Sequence, residues 1–313
     1  MLRKARRLVR RFVDGCYNAC FNPPCGYVVM LHRIGPAEPD RLDVIEELKV
    51  SEAWLQRYVD SKKVRYDFIS LDDLCQRLSA KAFKQRPFIC ITFDDGFKDN
   101  LSIGLPFFEK NKIPFSVFLS TGFIDKKPEF NYPFLLERMV RENDVLVVDG
   151  KEYVCLTRAQ KNQVFCSLKE KVLHLPYDSF ETSFRTLFKE YLKSEHFEDL
   201  MMSWDDAREL ASSSLCTIGS HTVTHCRLSN LSDQELEMEL TGSKKRIESE
   251  IGKEVCYISY PYGWTTDVND HVIDSVKTAG YKLGFVSYGG PIRKKGLDLF
   301  QVNRIMLEGN SEE

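Results

Sequence analysis

The chain reads as an α/β protein, a parallel sheet or barrel wrapped by helices. Three observations carry that expectation. Short apolar runs rich in β-branched residues recur along most of the chain, as strands buried on both faces do. Stretches with helical periodicity separate them, which is the alternation that builds parallel sheets. At 313 residues, with 43% hydrophobic and 29% charged residues, the chain can bury a substantial core.

Eight segments are expected as strands: Tyr27–Leu31, Phe68–Ser70, Phe88–Phe93, Phe115–Leu119, Thr217–Gly219, Val255–Ser259, Leu283–Val286 and Val302–Met306. Helices are expected over Ala53–Lys62, Leu71–Leu78, Trp204–Ser212 and Gln234–Ile251. The last carries Leu236, Leu240, Ser243 and Ile247 along one side, and Gly252 stands where a helix stop belongs. From about residue 126 to 200 the rhythm breaks into charged, short helical patterns punctuated by Pro128, Pro133 and Pro176. That stretch is expected to be an insertion carried on the main domain. The expected organisation is a basic segment over 1–25, one domain over 26–307 containing the insertion, and a tail over 308–313.

A formal net charge of −2 and the lack of a basic stripe interleaved with aromatics point away from nucleic acid. The ten cysteines are scattered, with no Cys-x-x-Cys pair. Several, such as Cys90 in Phe88-Ile89-Cys90-Ile91, sit in strand-like runs where a thiol acts as a small hydrophobe. They suggest a reducing compartment. Residues 3–11 hold Arg3, Lys4, Arg6, Arg7, Arg10 and Arg11 between apolar neighbours. No uninterrupted apolar stretch follows, so a secretory signal is not expected, nor is any run long enough to span a bilayer. Residues 1–14 read either as a basic amphipathic helix on an anionic membrane surface or as a solvated terminus. The first reading gives a cytoplasmic protein touching the inner face of a membrane.

Three constellations carry chemistry. Ile91-Thr92-Phe93-Asp94-Asp95-Gly96 puts two carboxylates where an apolar strand ends, the edge at which α/β barrels gather catalytic groups. Adjacent carboxylates can divide the work, one binding a cation and the other accepting a proton; alone, Asp-Asp-Gly reads equally well as a polar turn. Histidines four apart, His221 and His225, can share one face of a helical turn and chelate one metal. With one carboxylate they leave coordination positions open, as hydrolytic sites need. In Tyr260-Pro261-Tyr262-Gly263 the proline fixes the backbone so that the next amide can face a developing oxyanion. Taken alone, that segment is a turn with two surface tyrosines.

Thr92-Phe93-Asp94-Asp95-Gly96, His221-Thr222-Val223-Thr224-His225 and Tyr260-Pro261-Tyr262-Gly263 together resemble, in order and spacing, the signature motifs of the polysaccharide deacetylases, the NodB-homology domain of carbohydrate esterase family 4. Asp67-Phe68-Ile69-Ser70-Leu71, Ser203-Trp204-Asp205 and Ser243–Gly252 agree with it. The likeness covers roughly residues 26–125 and 201–307. It implies a distorted (β/α) barrel with a helical insertion and a divalent metal held by Asp95, His221 and His225. Zinc is the first choice, and cobalt, nickel or iron also suit those donors. Asp94 would be the base that activates water, and the Tyr262 N–H would support the oxyanion. The implied substrate is an N-acetylated sugar of a polysaccharide or lipid-linked glycan, hydrolysed to acetate and a free amine. A catalytically silent sugar-binding relative, or a deacylase for N-formyl or O-acetyl groups, are the alternatives.

Two departures stand out. Many members brace the catalytic aspartate with an arginine two residues before the proline; here that residue is Ser259, and Arg304 is the candidate replacement. Many also place an acid histidine in a late Leu-x-His segment, and the only histidine after His225 is His271. His32 closes the apolar run Gly26–Leu31, as in a permuted branch whose acid histidine comes first, so it is expected to be the acid. His174 and His196 read as surface residues of the insertion.

Overall fold

The computed structural model describes residues 23–83, 85–125, 131–192 and 200–307. The basic segment 1–14, the tail 308–313 and His196 therefore lie outside the described residues. Within them, seven parallel strands close into a barrel in chain order. They are β1 (Pro24–Leu31), β2 (Phe88–Phe93), β3 (Phe115–Leu119), β4 (Cys216–Ser220), β5 (Tyr257–Ser259), β6 (Leu283–Gly289) and β7 (Val302–Met306). Closure comes from β1, which pairs with β2 over Gly26↔Phe88 to Leu31↔Phe93 and with β7 at Val29↔Ile305 and Met30↔Met306.

The seven barrel strands correspond to seven of the eight expected runs. The eighth survives as Asp67–Phe68, which pairs with the start of β2. Every residue of β2 and β3 is buried, which explains why these segments are almost continuously apolar. Packing is close: Phe108 stacks on Phe115 at 4.3 Å, and Phe93 meets both edge-on.

Helices cover the outside and begin at side-chain caps. Ser51 accepts from the Trp54 N–H, while Ser70, Ser203 and Ser232 form reciprocal boxes with Asp73, Asp206 and Glu235. The expected helix Gln234–Ile251 is present with a change inside it. An α-helix over Asp233–Glu237 passes through a π-turn over Met238–Gly242 into Ser243–Ile251. Gly252 ends it at φ 67°. The helical stretch Asn100–Asn111 escaped the sequence reading because Gly104 and Pro106 look like breakers. Its first turn is a π-turn over Asn100–Gly104, which leads directly into Leu105–Asn111 with Pro106 at the junction. Asp270–Thr278 is a further helix, capped by Asn269.

The stretch expected to be helical contains helices at Tyr132–Glu142, Arg158–Leu173 and Phe180–Leu187, and also a β-hairpin. Val145–Val148 pairs with Lys151–Val154 around Asp149-Gly150, both at positive φ. An Asp-Gly pair between alternating residues is a strong hairpin signal. Leu146 and Val148 point inward while Val145 and Val147 face solvent. Leu136, Val140, Leu146, Phe165, Leu168 and Phe184 pack into a core that also takes in Phe97 and Met201 from the barrel side. Phe97 meets Phe134 edge-on at 5.5 Å. Cys90, Cys155, Cys216 and Cys256 are buried thiols. Among the described residues, no helix is long and apolar enough to cross a membrane.

Candidate metal centre

The end of β2 splits its two carboxylates. Asp94 donates its N–H to the Leu31 carbonyl, continuing the ladder, while Asp95 turns at φ 78° and Gly96 at φ 88°. Glycine is required there, since a Cβ would lie 2.9 Å from Leu119 Cδ2. The Asp94 carboxylate points inward and is almost wholly buried. Arg304 donates to it from Nη1 at 2.8 Å and from Nη2 at 2.7 Å, and Ser259 Oγ donates at 3.0 Å. Arg304 Nη2 also donates to Ser259 Oγ at 2.7 Å. Burial pushes the Asp94 carboxyl upward, but the Arg304 guanidinium and His221 outweigh it and hold it below its ordinary range. Arg304 thus stands against the aspartate it was expected to brace, and Ser259 completes the contact.

The two histidines do not share a helical turn, contrary to the expectation from their spacing. His221–His225 is a tight loop after β4, with Thr222 at φ 68° and His225 at φ 58°. The loop backbone is laced to the end of β3: the His221 N–H donates to the Leu119 carbonyl, and the His221, Thr222 and Val223 carbonyls accept from Ser120 Oγ, the Thr121 N–H and the Gly122 N–H. A helix would leave these groups without such partners. The loop instead turns both rings inward, 4.8 Å apart.

Both Nε2 atoms lie 3.4 Å from Asp95 Oδ1, and the three ligand atoms all fall within 4.8 Å of one another. Metal bonds of about 2.1 Å in a tetrahedral arrangement separate neighbouring ligand atoms by roughly 3.4 Å. His221 Nδ1 lies 2.7 Å from the Ser259 carbonyl, which fixes the proton there and leaves Nε2 bare toward Asp95. Asp95 Oδ1 is buried and accepts no hydrogen bond among the described residues. The donor set therefore fits a divalent ion. Burial pushes the His225 imidazole down to about 3 despite Asp95, so it is neutral at physiological pH, as a ligand must be. His221 behaves oppositely: burial lowers it, but the Asp94 and Asp95 carboxylates lift it above its ordinary value.

Tyr260 and Tyr262 are not the surface pair that a bare turn would give. Tyr260 is buried, its hydroxyl donating to the Phe300 carbonyl at 2.8 Å. Tyr262 stands at φ 60°, its ring 5.0 Å from that of His225 and its hydroxyl 2.6 Å from that of Tyr132. Among the described residues no acceptor takes the Tyr262 N–H. His32 follows β1 at the same rim, with Nδ1 buried and unpartnered. Burial lowers its pKa against the pull of Asp95 and Asp94. His174 is exposed, as expected; His271 is on the surface, 3.0 Å from Asp233.

Three contributors went unread in the sequence. Lys169 reaches from the helix Arg158–Leu173 to lie 5.6 Å from the Tyr262 ring centre, and among the described residues no carboxylate pairs with it. Tyr132 belongs to the same stretch. Glu239 sits behind the histidine loop, fully buried; its only signal was an acid beside Leu240 on an apolar face. A cavity of about 540 Å³ opens beside His225, walled by Arg227 and Thr224 on one side and by Tyr177 and Phe180 on the other.

The polysaccharide deacetylase family model matches residues 81–284. The chain belongs to the polysaccharide deacetylase family. YxkH of Bacillus subtilis (strain 168), which carries a provisional polysaccharide deacetylase name, is 30% identical over 74 residues. That match spans 24% of this chain and 25% of YxkH, so the chain spans about a quarter of its curated relative's length. Among solved structures, the Streptococcus pyogenes deacetylase PplD in complex with acetate is 17% identical, with TM-score 0.58 over 91% of this chain and 93% of PplD. A de-N-acetylase from Aggregatibacter actinomycetemcomitans is 16% identical, with TM-score 0.58 over 92% of this chain and 96% of that one. At these identities the two structures share the fold of this polysaccharide deacetylase barrel.

Proposed function

We propose that this polysaccharide deacetylase hydrolyses an N-acetyl group from a glycan with the help of a divalent metal held by Asp95, His221 and His225. The observation that carries the reading is the convergence of those three ligand atoms within 4.8 Å, beside a carboxylate braced by arginine. A bound ion of this kind supplies Lewis acidity toward an amide carbonyl and acidifies water. Asp94, kept ionised by Arg304, accepts the proton of the attacking water as the new C–O bond forms. The Tyr262 N–H donates to the carbonyl oxygen as it gains charge, a contact worth about 3 kcal/mol when well placed. His32 passes a proton to the sugar nitrogen as the C–N bond breaks, leaving acetate and a free amine.

The cavity beside His225 supplies room for the glycan around the reacting group, with Tyr132, Tyr177 and Phe180 as apolar surfaces and Arg227 as a donor. Zinc is the first choice of metal, and cobalt, nickel or iron suit the same donors. The six basic residues within 3–11 support peripheral attachment of residues 1–14 to an anionic membrane at its cytoplasmic face, where a lipid-linked glycan would be the substrate. Deleting residues 1–14 abolishes co-sedimentation with anionic vesicles on this reading; retained binding overturns it.

The deciding experiment strips metal with chelator, reloads zinc, cobalt or nickel, and follows acetate release from N-acetylated oligosaccharides. Turnover that returns with metal and is lost in Asp94→Asn supports the reading. Metal binding without turnover above that of Asp94→Asn moves the protein to a sugar-binding role. Release of acetate from O-acetyl but not N-acetyl sugars moves it to an esterase.

A further inference from the structure

The histidine loop is held from behind by one carboxylate, and that carboxylate is also held by the insertion. Glu239 Oε2 accepts from the Val223 N–H at 2.8 Å and the Thr224 N–H at 3.0 Å. Its Oε1 accepts from Thr224 Oγ1 at 2.7 Å and from the Tyr177 hydroxyl at 2.7 Å. Four neutral donors thus fill a carboxylate's four acceptor positions. No cation pairs with it among the described residues, although the side chain is fully buried. Burying an unpaired charge is costly unless hydrogen bonds satisfy it, so these bonds hold their donors firmly.

Three of those donors belong to the residues just ahead of His225. Val223 and Thr224 lie between two residues at positive φ, Thr222 and His225, a conformation that β-branched and bulky side chains rarely adopt. Something must over-determine such a loop. On one face it is laced to the end of β3; on the other, Glu239 takes both of its inward N–H groups. The π-turn Met238–Gly242 brings Glu239 to this position, with Leu240 buried beside it. Tyr177 comes from the opposite direction, out of the stretch between Arg158–Leu173 and Phe180–Leu187, and it lines the cavity beside His225.

We propose that Glu239 is a positioning residue that holds the His221–His225 loop in its ligating form, and that Tyr177 makes metal affinity depend on how the insertion is seated. The proposal rests on the metal reading above. Removing outer residues of this kind costs tenfold to a hundredfold in metal affinity. Zinc affinity of the full chain is measured by competition with a chelating dye for wild type, Glu239→Ala, Glu239→Gln, Tyr177→Phe and Asp95→Ala, beside thermal melts of the metal-free proteins. Wild type binds one zinc, and Asp95→Ala does not. Glu239→Ala loses at least tenfold in affinity. Glu239→Gln, which keeps an acceptor for the two N–H groups, recovers part of it. Tyr177→Phe loses severalfold with an unchanged metal-free melt, which a merely structural role would not produce. If Asp95→Ala binds zinc as wild type does, the metal reading itself fails. If wild type and Asp95→Ala behave as stated but a folded Glu239→Ala binds zinc like wild type, the positioning role is overturned; if Glu239→Ala does not fold, wild-type binding by Tyr177→Phe overturns it.

Discussion

Arg304 on β7 and Asp94 at the end of β2 meet through two parallel hydrogen bonds of 2.8 and 2.7 Å, both side chains buried, across 210 residues of sequence. Removing one member of such a pair strands the other charge in the interior. Arg304→Met is expected to cost about 3–5 kcal/mol in urea unfolding at pH 7. The deficit depends on pH in a definite direction. In the wild type the Asp94 pKa lies below its ordinary 3.8, so this contribution is complete above 3.8 and is lost as pH falls through the lower folded value. The gap between variant and wild type therefore narrows below about pH 4. A gap that does not narrow as the pH falls from about 4 to about 2 contradicts the pairing.

Asp94→Asn keeps the shape of the carboxylate and one acceptor while removing its basicity. Turnover is expected to fall by roughly a hundredfold to ten-thousandfold, the range for a general base. Zinc affinity stays within a few fold of wild type, because Asp95, not Asp94, faces the histidines. Parallel loss of turnover and metal would instead make Asp94 a ligand.

His32 sets an expected alkaline limb. Burial holds its pKa below the ordinary 6.5, so the protonated form needed to serve a departing amine declines as pH rises through that lower value. The profile of kcat/KM against pH is expected to fall on its alkaline side with an apparent pKa under 6.5. In His32→Ala that limb disappears and the remaining rate is lower throughout. An unchanged limb assigns the proton to another group.

Gly96→Ala tests the turn that separates the two carboxylates. At φ 88° an alanine is strained, and its Cβ lands 2.9 Å from Leu119 Cδ2. A loss of about 1–3 kcal/mol is expected, seen as a lower melting temperature of the metal-free protein. Zinc binding weakens as well, since Asp95 loses its aim.

Much of this was readable in one dimension. The barrel strands announced themselves because burial on both faces demands unbroken apolar runs, as in Phe88–Phe93. Asp94, Asp95, His221 and His225 stand out because carboxylates and histidines just after apolar strands are the residue types a metal site would use. Arg304 is legible as a candidate because Ser259 leaves the expected arginine position empty and Arg304 lies near the end of the strand Val302–Met306. The conformation of the histidine loop was not readable, since four-residue spacing suits a helix and a left-handed loop alike, and only the lacing to β3 decides. Lys169 and Tyr132 come from a segment with no motif of its own. Glu239 was hidden because nothing in its immediate sequence tells that its partners are loop amides rather than water. The Asp149-Gly150 pair is a hairpin signal, but it stands among helical patterns that mask it.

The ring of strands runs in chain order, and that orders its assembly during synthesis. The proposed ligands Asp95, His221 and His225 all emerge before β5, whereas the Asp94 brace waits for residue 304. A growing chain can thus present those three side chains to an ion before Asp94 has its partner. Until β7 docks between β6 and β1, Asp94 faces an open seam and is not sealed in the interior. Closure of the barrel and pairing of Asp94 with Arg304 are then the same event.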